Sequence, residues 1–262
     1  IITEFAEHGS LDALMGRLME AEGDHHDALA LSESHQNSVL RQICSGMEAL
    51  ADESIVHRDL AARNVLVFAF DRDDAASVHV KVSDFGLSVD KYGKTYRTVD
   101  GENVPFRWMS PEALKKRRFS EKSDVWAFGV TAWEILSDGD MPYFLVDDDA
   151  ALKRGVIEGT LHLERPEGVS DAQWALVESC WCPDQRKRPT FARLGASLAA
   201  GGETRRSREA GKQSFRLHRY HHHKMGIAIV RTRRRSRKKT KRLRRRAASK
   251  THCSGSKQRQ SK

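Results

Sequence analysis

Cysteine is scarce in this sequence, and long apolar runs are missing. The four cysteines in 262 residues are Cys44, Cys180, Cys182 and Cys253, too few for the disulfide framework of a secreted protein. Cys180 and Cys182 are separated by one residue and have no partner pair, which argues against a zinc site. No run approaches the length of a membrane span, and no leader with a basic start and an apolar core is present. We therefore expect an intracellular protein in a reducing compartment.

Acidic residues are almost missing from the last part of the sequence. Residues 201–262 contain 23 Lys or Arg and 2 Asp or Glu, whereas residues 1–200 contain 22 and 34. The formal net charge of +9 therefore hides an acidic body and a strongly basic tail. Because the tail has few core-forming residues, we predict that residues 201–262 are disordered.

The densest basic run, Arg231–Arg246, is typical of several functions. It fits a nuclear localisation signal, a nucleic-acid contact or a contact with an anionic membrane. The aromatic residues Phe215 and Tyr220 lie outside the run, so base-specific readout is not expected. A tail without function, read from a mispredicted reading frame, is an equal alternative.

Hydrophobic periodicity predicts that the body is mainly α-helical with one small β-hairpin. Ser10 is the expected N-cap of a first helix, a second helical pattern covers 39–50, and residues 65–67 and 78–85 predict the hairpin strands. The segment 123–137 is apolar on nearly all sides, which predicts a buried helix capped by Ser123. Further helices are predicted near 147–158, 171–181 and 190–199, and loops are predicted over 21–35 and 84–112.

The segment "IVHRDLAARNVLV", residues 55–67, carries the residues with chemical potential. Asp59 can accept the hydrogen bond of a substrate hydroxyl, and Asn64 follows five residues later with an amide oxygen that suits Mg²⁺. Asp84 opens "DFG" and offers a second oxygen ligand, and "SPE" follows at 110–112. These three motifs, in this order and beside predicted strands, indicate phosphoryl transfer.

The same residues resemble the protein kinase family, and the tyrosine kinases in particular, over roughly residues 1–198. Ala61 stands where serine/threonine kinases usually carry lysine, and Arg63 stands where tyrosine kinases hold the substrate phenol near the base. The segment "VPFRWMSPEAL" resembles the tyrosine-kinase docking segment, in which Pro105 and Trp108 would contact the acceptor. The resemblance implies a kinase-like large lobe, mainly α, with a β-hairpin that carries the catalytic loop and "DFG".

The resemblance also implies an ATP and Mg²⁺ site. By position, Thr3 is the gatekeeper of the adenine pocket, the Glu4 carbonyl and the Ala6 N–H pair with adenine, and Leu66 forms the pocket floor. Asp84 would hold the metal and the phosphates.

Regulatory and structural roles follow from the same match. Tyr96 matches the usual autophosphorylated tyrosine, Tyr92 is a second candidate, and Arg58 would pair with the phosphate. The resemblance implies two further contacts, a brace of the catalytic loop by Asp124 and a buried pair between Glu112 and Arg188.

A glycine-rich phosphate loop and a preceding lysine strand are absent from the 262 residues. Lys81 lies three residues before the expected metal ligand Asp84, so it is not the phosphate-binding lysine. The chain therefore resembles a hinge (1–9), a C-terminal lobe (10–200) and a tail (201–262), with the N-terminal lobe absent. Because several groups that bind ATP are lacking, we expect weak ATP binding and poor phosphorylation by this chain alone.

Three functional hypotheses remain open at this point. The first is an enzyme that transfers the γ-phosphate of ATP to tyrosine in a protein substrate. The second is a non-catalytic module that docks a substrate, a partner kinase or a separate N-terminal lobe. The third is a nucleic-acid-binding or nuclear protein that acts through its tail. Retention of Asp59, Asn64 and Asp84 favours the first.

Overall fold

The computed structural model describes four stretches of the chain, residues 4–21, 31–84, 89–90 and 105–203. All of them fall within one structural unit, residues 1–207. Helices dominate these stretches and the strands are short, which confirms the predicted mainly α fold. Thr3, Tyr92, Tyr96 and the predicted tail from residue 204 onward lie outside the described residues.

The first half of the described chain contains two helices and two short antiparallel strand pairs. The elements are α1 (Leu11–Ala21), α2 (Glu33–Asp52), β1 (Ile55–Val56), β2 (Val65–Ala69), β3 (His79–Val82) and β4 (Val89–Asp90). β2 and β3 form the predicted hairpin, with Val65 opposite Val82. β4, which pairs with β1, lies inside the predicted loop 84–112. That prediction is wrong there because a two-residue strand has no periodicity and depends on a distant partner.

The second half is helical. Its elements are α3 (Pro111–Lys116), α4 (Glu121–Leu136), α5 (Asp149–Glu158), α6 (Asp171–Cys180) and α7 (Phe191–Glu203), with 3-10 turns at Ala62–Asn64, Phe106–Trp108 and Gln185–Lys187. The turn at Phe106–Trp108 and the start of α3 also fall within the predicted loop. No helix in the described ranges combines the length and the apolar character that a membrane span requires.

Two helix starts differ from the predicted ones because serine side chains act at neighbouring positions. α2 begins inside the predicted loop 21–35, where the Ser32 hydroxyl accepts the His35 N–H at 3.3 Å. α4 begins at Glu121, and Ser120 rather than Ser123 occupies the N-cap. Ser123 lies at the third helical position, where its hydroxyl accepts the Ser120 N–H at 2.9 Å.

Helix α4 lies in the core, as its all-round apolar sequence predicts. Val125, Phe128, Val130 and Ile135 have no exposed surface. Each such side chain contributes about 1.5–3 kcal/mol through burial. α4 packs against α6, and α2 packs against α7 and β3. Since α4 is fixed by this core, its buried side chains Asp124 and Glu134 can hold the backbone groups with which they form hydrogen bonds.

Candidate active site

The predicted catalytic loop, residues 57–64, follows β1 and is held by a carboxylate from α4. Asp124 is buried, and its two oxygens accept the backbone N–H groups of His57 at 2.8 Å and Arg58 at 3.0 Å. Burial raises the pKa of Asp124 to about 7, although the two N–H groups and the Arg58 charge act in the opposite direction. Arg58 has a left-handed backbone, φ 74°, which is costly for a non-glycine residue. The Asp124 bonds hold the loop in that conformation.

His57 is a fully buried link between the catalytic loop and β3. Its Nδ1 accepts the Asp59 N–H at 3.3 Å, so the ring proton lies on Nε2, which donates to the Ser83 carbonyl at 3.0 Å. Burial lowers the pKa of His57 and favours the neutral ring. His57 therefore fixes the loop next to the residue that precedes Asp84.

Three of the predicted catalytic residues meet in this loop. Asp59 forms an ion pair with Arg63, and its other oxygen accepts the Asn64 amide at 3.0 Å. The same amide donates to the Asp59 carbonyl at 2.6 Å. The side-chain oxygen of Asn64 is therefore the atom that remains to coordinate a cation, while the Asp59 carboxylate is held in one orientation.

The β2–β3 hairpin brings the two predicted metal ligands to one end. The Asn64 carbonyl accepts the Ser83 N–H at 2.8 Å and the Ser83 hydroxyl at 3.1 Å, and exposed Asp84 follows directly. Among the described residues, no three His, Cys, Asp or Glu side chains form a metal cluster. One amide oxygen and one carboxylate fit Mg²⁺, which takes few protein ligands and completes its shell with water and phosphate oxygens.

The docking segment is tied to the catalytic loop by Glu134, a residue that motif reasoning missed. One Glu134 oxygen accepts the Trp108 indole N–H at 2.8 Å and the Ala62 N–H at 3.1 Å. The Arg63 guanidinium lies 4.5 Å from the centre of the Trp108 ring. Burial raises the pKa of Glu134 to about 7. A carboxylate in an otherwise apolar helix is a signal that could have revealed it, since buried charges require partners.

Arg107 is a second residue that the motifs did not reveal. Its guanidinium donates to the carbonyls of Pro142 at 2.8 Å, Tyr143 at 2.9 Å and Val146 at 3.3 Å. The loop between α4 and α5 is thereby fixed beside the docking segment, of which half-buried Pro105 is the first described residue.

The predicted hinge runs beside β2. The His8 N–H donates to the Val67 carbonyl at 3.1 Å, and the Val67 N–H donates to the Gly9 carbonyl at 2.8 Å. The half-buried Leu66 side chain lies on this strand, where the resemblance places the floor of the adenine pocket.

Of the residues predicted to contact adenine in the hinge, Glu4 and Ala6 lie within the described part of the chain. Within the described residues, the Glu4 carbonyl and the Ala6 N–H make no hydrogen bond, so both groups are available to a ligand. The Glu4 side chain instead pairs with Lys81, whose ammonium lies 4.5 Å from the Phe68 ring centre. The exposed Lys81 side chain therefore contacts the predicted hinge.

Glu112 and Arg188 form a bidentate pair at 2.7 and 3.0 Å. The Arg188 side chain has no exposed surface and also donates to the carbonyls of Lys122 and Cys182. Every guanidinium nitrogen of Arg188 thus has an acceptor, which is the arrangement that a buried charge needs.

Comparison with known proteins places this geometry in a family. The model of the family described as "Protein tyrosine and serine/threonine kinase" matches residues 1–198. The chain is 38% identical over 198 residues to "Inactive tyrosine-protein kinase 7" of Gallus gallus. It is 40% identical over 200 residues to "Ephrin type-A receptor 1" of Homo sapiens, and 37% identical over 202 residues to "Ephrin type-B receptor 2" of Gallus gallus.

Each alignment covers 76% of this chain and 18% of the relative. The chain therefore spans less than a fifth of the length of these relatives. The family match, the helical lobe and the hairpin agree with each other. The chain belongs to the protein tyrosine and serine/threonine kinase family.

Proposed function

We propose that this lobe belongs to a protein kinase that transfers the γ-phosphate of ATP to a tyrosine hydroxyl. The observation that carries the proposal is the position of Arg63, which pairs with Asp59 and lies over the Trp108 ring. One side chain thereby connects the predicted base with the docking segment. This connection suits a phenol, whose hydroxyl is farther from its backbone than that of serine.

Each residue of the candidate site has a separate role in the proposed phosphoryl transfer. Asp59 accepts the hydrogen bond of the phenol and takes its proton as the new bond between the phenol oxygen and the γ-phosphorus forms. The bond from the γ-phosphorus to the β–γ bridging oxygen breaks in the same step, and ADP leaves. Arg63 orients the phenol beside Asp59, and Pro105 packs against its ring. Asn64 and Asp84 would hold Mg²⁺, which when bound neutralises the charge on the phosphate oxygens of ATP. Asp124 and Glu134 keep the loop rigid, because both accept its backbone N–H groups.

The hinge supports adenine recognition by this chain. The Glu4 carbonyl and the Ala6 N–H offer one acceptor and one donor at neighbouring positions, and Leu66 supplies an apolar surface. The 262 residues contain no glycine-rich loop. We therefore expect that the chain by itself binds ATP weakly and transfers phosphate slowly, since each missing charge-stabilising donor costs about 10²–10³ in rate.

A non-catalytic docking module is the second candidate. The similarity to a relative named as an inactive tyrosine-protein kinase favours it. In this reading the docking segment and the rigid loop bind a protein, and the Asp59 carboxylate has no chemical role. The intact set of Asp59, Asn64 and Asp84 supports the enzyme in preference to the module.

Single-turnover labelling distinguishes the two candidates. The full chain is mixed with radiolabelled ATP, Mg²⁺ and peptides that differ only in a Tyr, Ser or Phe acceptor. We expect slow labelling of the Tyr peptide alone, and a loss of about 10²–10⁴-fold in Asp59→Asn. Asp52→Asn, which removes an exposed carboxylate at the end of α2, is the matched control and should retain the rate.

Three outcomes of the labelling assay would contradict a part of the proposal. Equal labelling of the Ser peptide would contradict the tyrosine assignment. Labelling that survives Asp59→Asn would contradict the role of the base. Complete absence of labelling, together with binding of the Tyr peptide, would favour the docking module.

A further inference from the structure

Four consecutive basic residues, Lys115–Arg118, stand at the end of α3 and are all exposed. We call them the α3 basic edge. They belong to a body in which acidic residues outnumber basic ones by 34 to 22, so their density is unusual for this lobe. None of the four side chains forms a hydrogen bond or an ion pair with a described residue. Their positive charge is therefore available to a partner.

Several other cations of the described lobe have partners within it. Arg107 donates to three carbonyls, Arg165 pairs with Asp171 at 2.7 Å, and Arg188 is enclosed by Glu112. The side chains of four further exposed cations also form no hydrogen bond or ion pair with a described residue, namely Arg41, Arg154, Lys187 and Arg193. These are single positions, whereas the α3 basic edge consists of four such residues in a row, which makes it a distinct surface.

The backbone turns sharply at this edge. Arg117 is the C-cap of α3, with φ 50° and ψ 34°, a left-handed position that glycine usually occupies. Attraction to the end of the helix dipole accounts for Lys115 and Lys116, which lie in the last turn. It does not account for Arg117 and Arg118, which come after the helix. A helix of six residues also has only a small dipole.

The α3 basic edge lies beside the proposed substrate surface. α3 begins at Pro111, within the docking segment, so the edge directly follows that segment in the chain. Phe119, next to the edge, packs under the Arg58 guanidinium, whose centre lies 4.5 Å from the ring centre. α3 packs against α5, whose Lys153 ammonium lies 4.6 Å from the Phe106 ring centre. Positive charge therefore flanks the docking segment on the side of α3 and α5.

We propose that the α3 basic edge docks an acidic segment of a protein substrate of this lobe. A short peptide suits the surface better than nucleic acid does. Charges are screened beyond about 8 Å at physiological ionic strength, so a partner interacts only with the protein charges next to which it lies. A short acidic segment interacts with the edge alone, whereas a longer polyanion would also cross the acidic body. The identity of the partner as a substrate rests on the proposed function, but the binding itself does not require phosphoryl transfer.

The test measures binding of a fluorescent oligoglutamate peptide that carries a photo-crosslinker, with the full chain and without ATP. Lys115, Lys116, Arg117 and Arg118 are changed together to Gln. The matched control changes Arg242, Arg244, Arg245 and Arg246 to Gln and removes the same charge from the tail. We expect crosslinks within residues 105–122 and about tenfold weaker binding at that site in the α3 variant, from four exposed charge pairs.

Thermal melting shows that both variants are folded before binding is compared. Crosslinks confined to residues 201–262, or unchanged binding in the α3 variant, would overturn the proposal. An equal loss of affinity for an oligothymidylate of similar charge would assign the edge to nucleic acid and overturn it as well. Since no step uses ATP, a chain inactive in the labelling assay would still give a decisive result here.

Discussion

A single carboxylate oxygen of Glu134 receives two hydrogen bonds from different parts of the chain. The Trp108 indole comes from the docking segment, and the Ala62 N–H comes from the catalytic loop. Arg63 from the catalytic loop and Asp12 from α1 are the charged groups that act on this carboxylate, Arg63 favourably and Asp12 unfavourably. Glu134 therefore holds both the docking segment and the loop that carries the proposed base.

Replacement of Glu134 separates the hydrogen bonds from the charge. Gln retains an oxygen that accepts both N–H groups, whereas Ala leaves two buried donors without a partner. We expect Glu134→Ala to lower the free energy of unfolding by about 2–5 kcal/mol more than Glu134→Gln does. Urea unfolding measures the stability of both variants. Equal stability would contradict the two hydrogen bonds to one Glu134 oxygen.

Comparison of the wild-type chain with Glu134→Gln gives a pH dependence. Burial raises the pKa of Glu134 from 4.5 to about 7 in the folded chain, so the folded state binds more protons than the unfolded state between these values. The contribution of Glu134 is present at low pH and declines as the pH rises through about 7. From pH 5 to 8, we expect wild-type stability to fall by roughly 1–3 kcal/mol relative to Glu134→Gln. Parallel pH profiles of the two proteins would refute this.

Gly129 marks a close approach of α4 and α6. A Cβ at this position would lie 2.6 Å from the Trp181 Nε1 and 2.8 Å from the Cys180 Cβ. Since the Cys180 Cβ is attached to the α6 backbone, the helices must separate, and we expect Gly129→Ala to cost about 1–3 kcal/mol. Gly16→Ala is the control, because a Cβ there meets nothing, and it should stabilise α1 by about 0.5–1 kcal/mol. Thermal unfolding of both variants is the measurement, and a stabilised Gly129→Ala would disprove the contact.

At the scale of elements, the start of α6 is joined to α2 by one glutamine. The Gln173 oxygen accepts the Ser170 N–H at 3.3 Å, and its amide donates to Asn37 at 3.1 Å and Gln36 at 3.3 Å. The Ser170 hydroxyl accepts the Gln173 N–H in return. One capping box therefore serves both to begin a helix and to pack it against another.

Two substitutions distinguish these contributions. Ser170→Ala removes the cap and should cost about 1 kcal/mol. Gln173→Ala should cost about 1–3 kcal/mol, because buried polar groups of α2 lose their partner as well. Ser197→Ala, on an exposed face of α7, should change stability by less than about 0.5 kcal/mol. Chemical unfolding ranks the three, and a smaller loss in Gln173→Ala than in Ser170→Ala would argue against the link to α2.

At the scale of the whole molecule, the pair of Glu112 and Arg188 connects segments that are distant in sequence. Glu112→Ala leaves the fully buried Arg188 charge without its carboxylate, and we expect a loss of about 3–5 kcal/mol. Arg186→Ala breaks the exposed pair with Asp184 and should leave stability unchanged. Calorimetry of the two variants tests the contrast, and similar melting temperatures would show that the buried pair does not hold the lobe together.

Patterns in the sequence predicted the elements that have strong periodicity of their own. The buried helix α4, the hairpin of β2 and β3, and α1 after Ser10 lie where the apolar spacing indicates them. The pairing of β1 with β4 and the start of α2 were missed, because both depend on contacts with other parts of the chain. His35, for example, reaches the Asp71 carbonyl at 2.8 Å, thirty-six residues away.

The candidate site shows the same division. The spacing of Asp59, Asn64 and Asp84 predicted phosphoryl transfer, because the proposed base and the two proposed metal ligands follow one another within a loop and a hairpin. Glu134 and Arg107 have no motif of their own. Their partners come from other elements, so their roles appear only when those elements pack.

The sequence by itself determined the family and the mainly helical lobe, and it predicted the chemistry of the loop, because short-range spacing and hydrophobic pattern encode these features. Only the tertiary structure decided which carboxylates hold that loop, and which cations remain free to meet a partner. Asp124 and Glu134 act because α4 is buried, and the α3 basic edge is exposed because no described element covers it. Burial and solvent exposure arise when distant segments pack, so a linear pattern does not contain them.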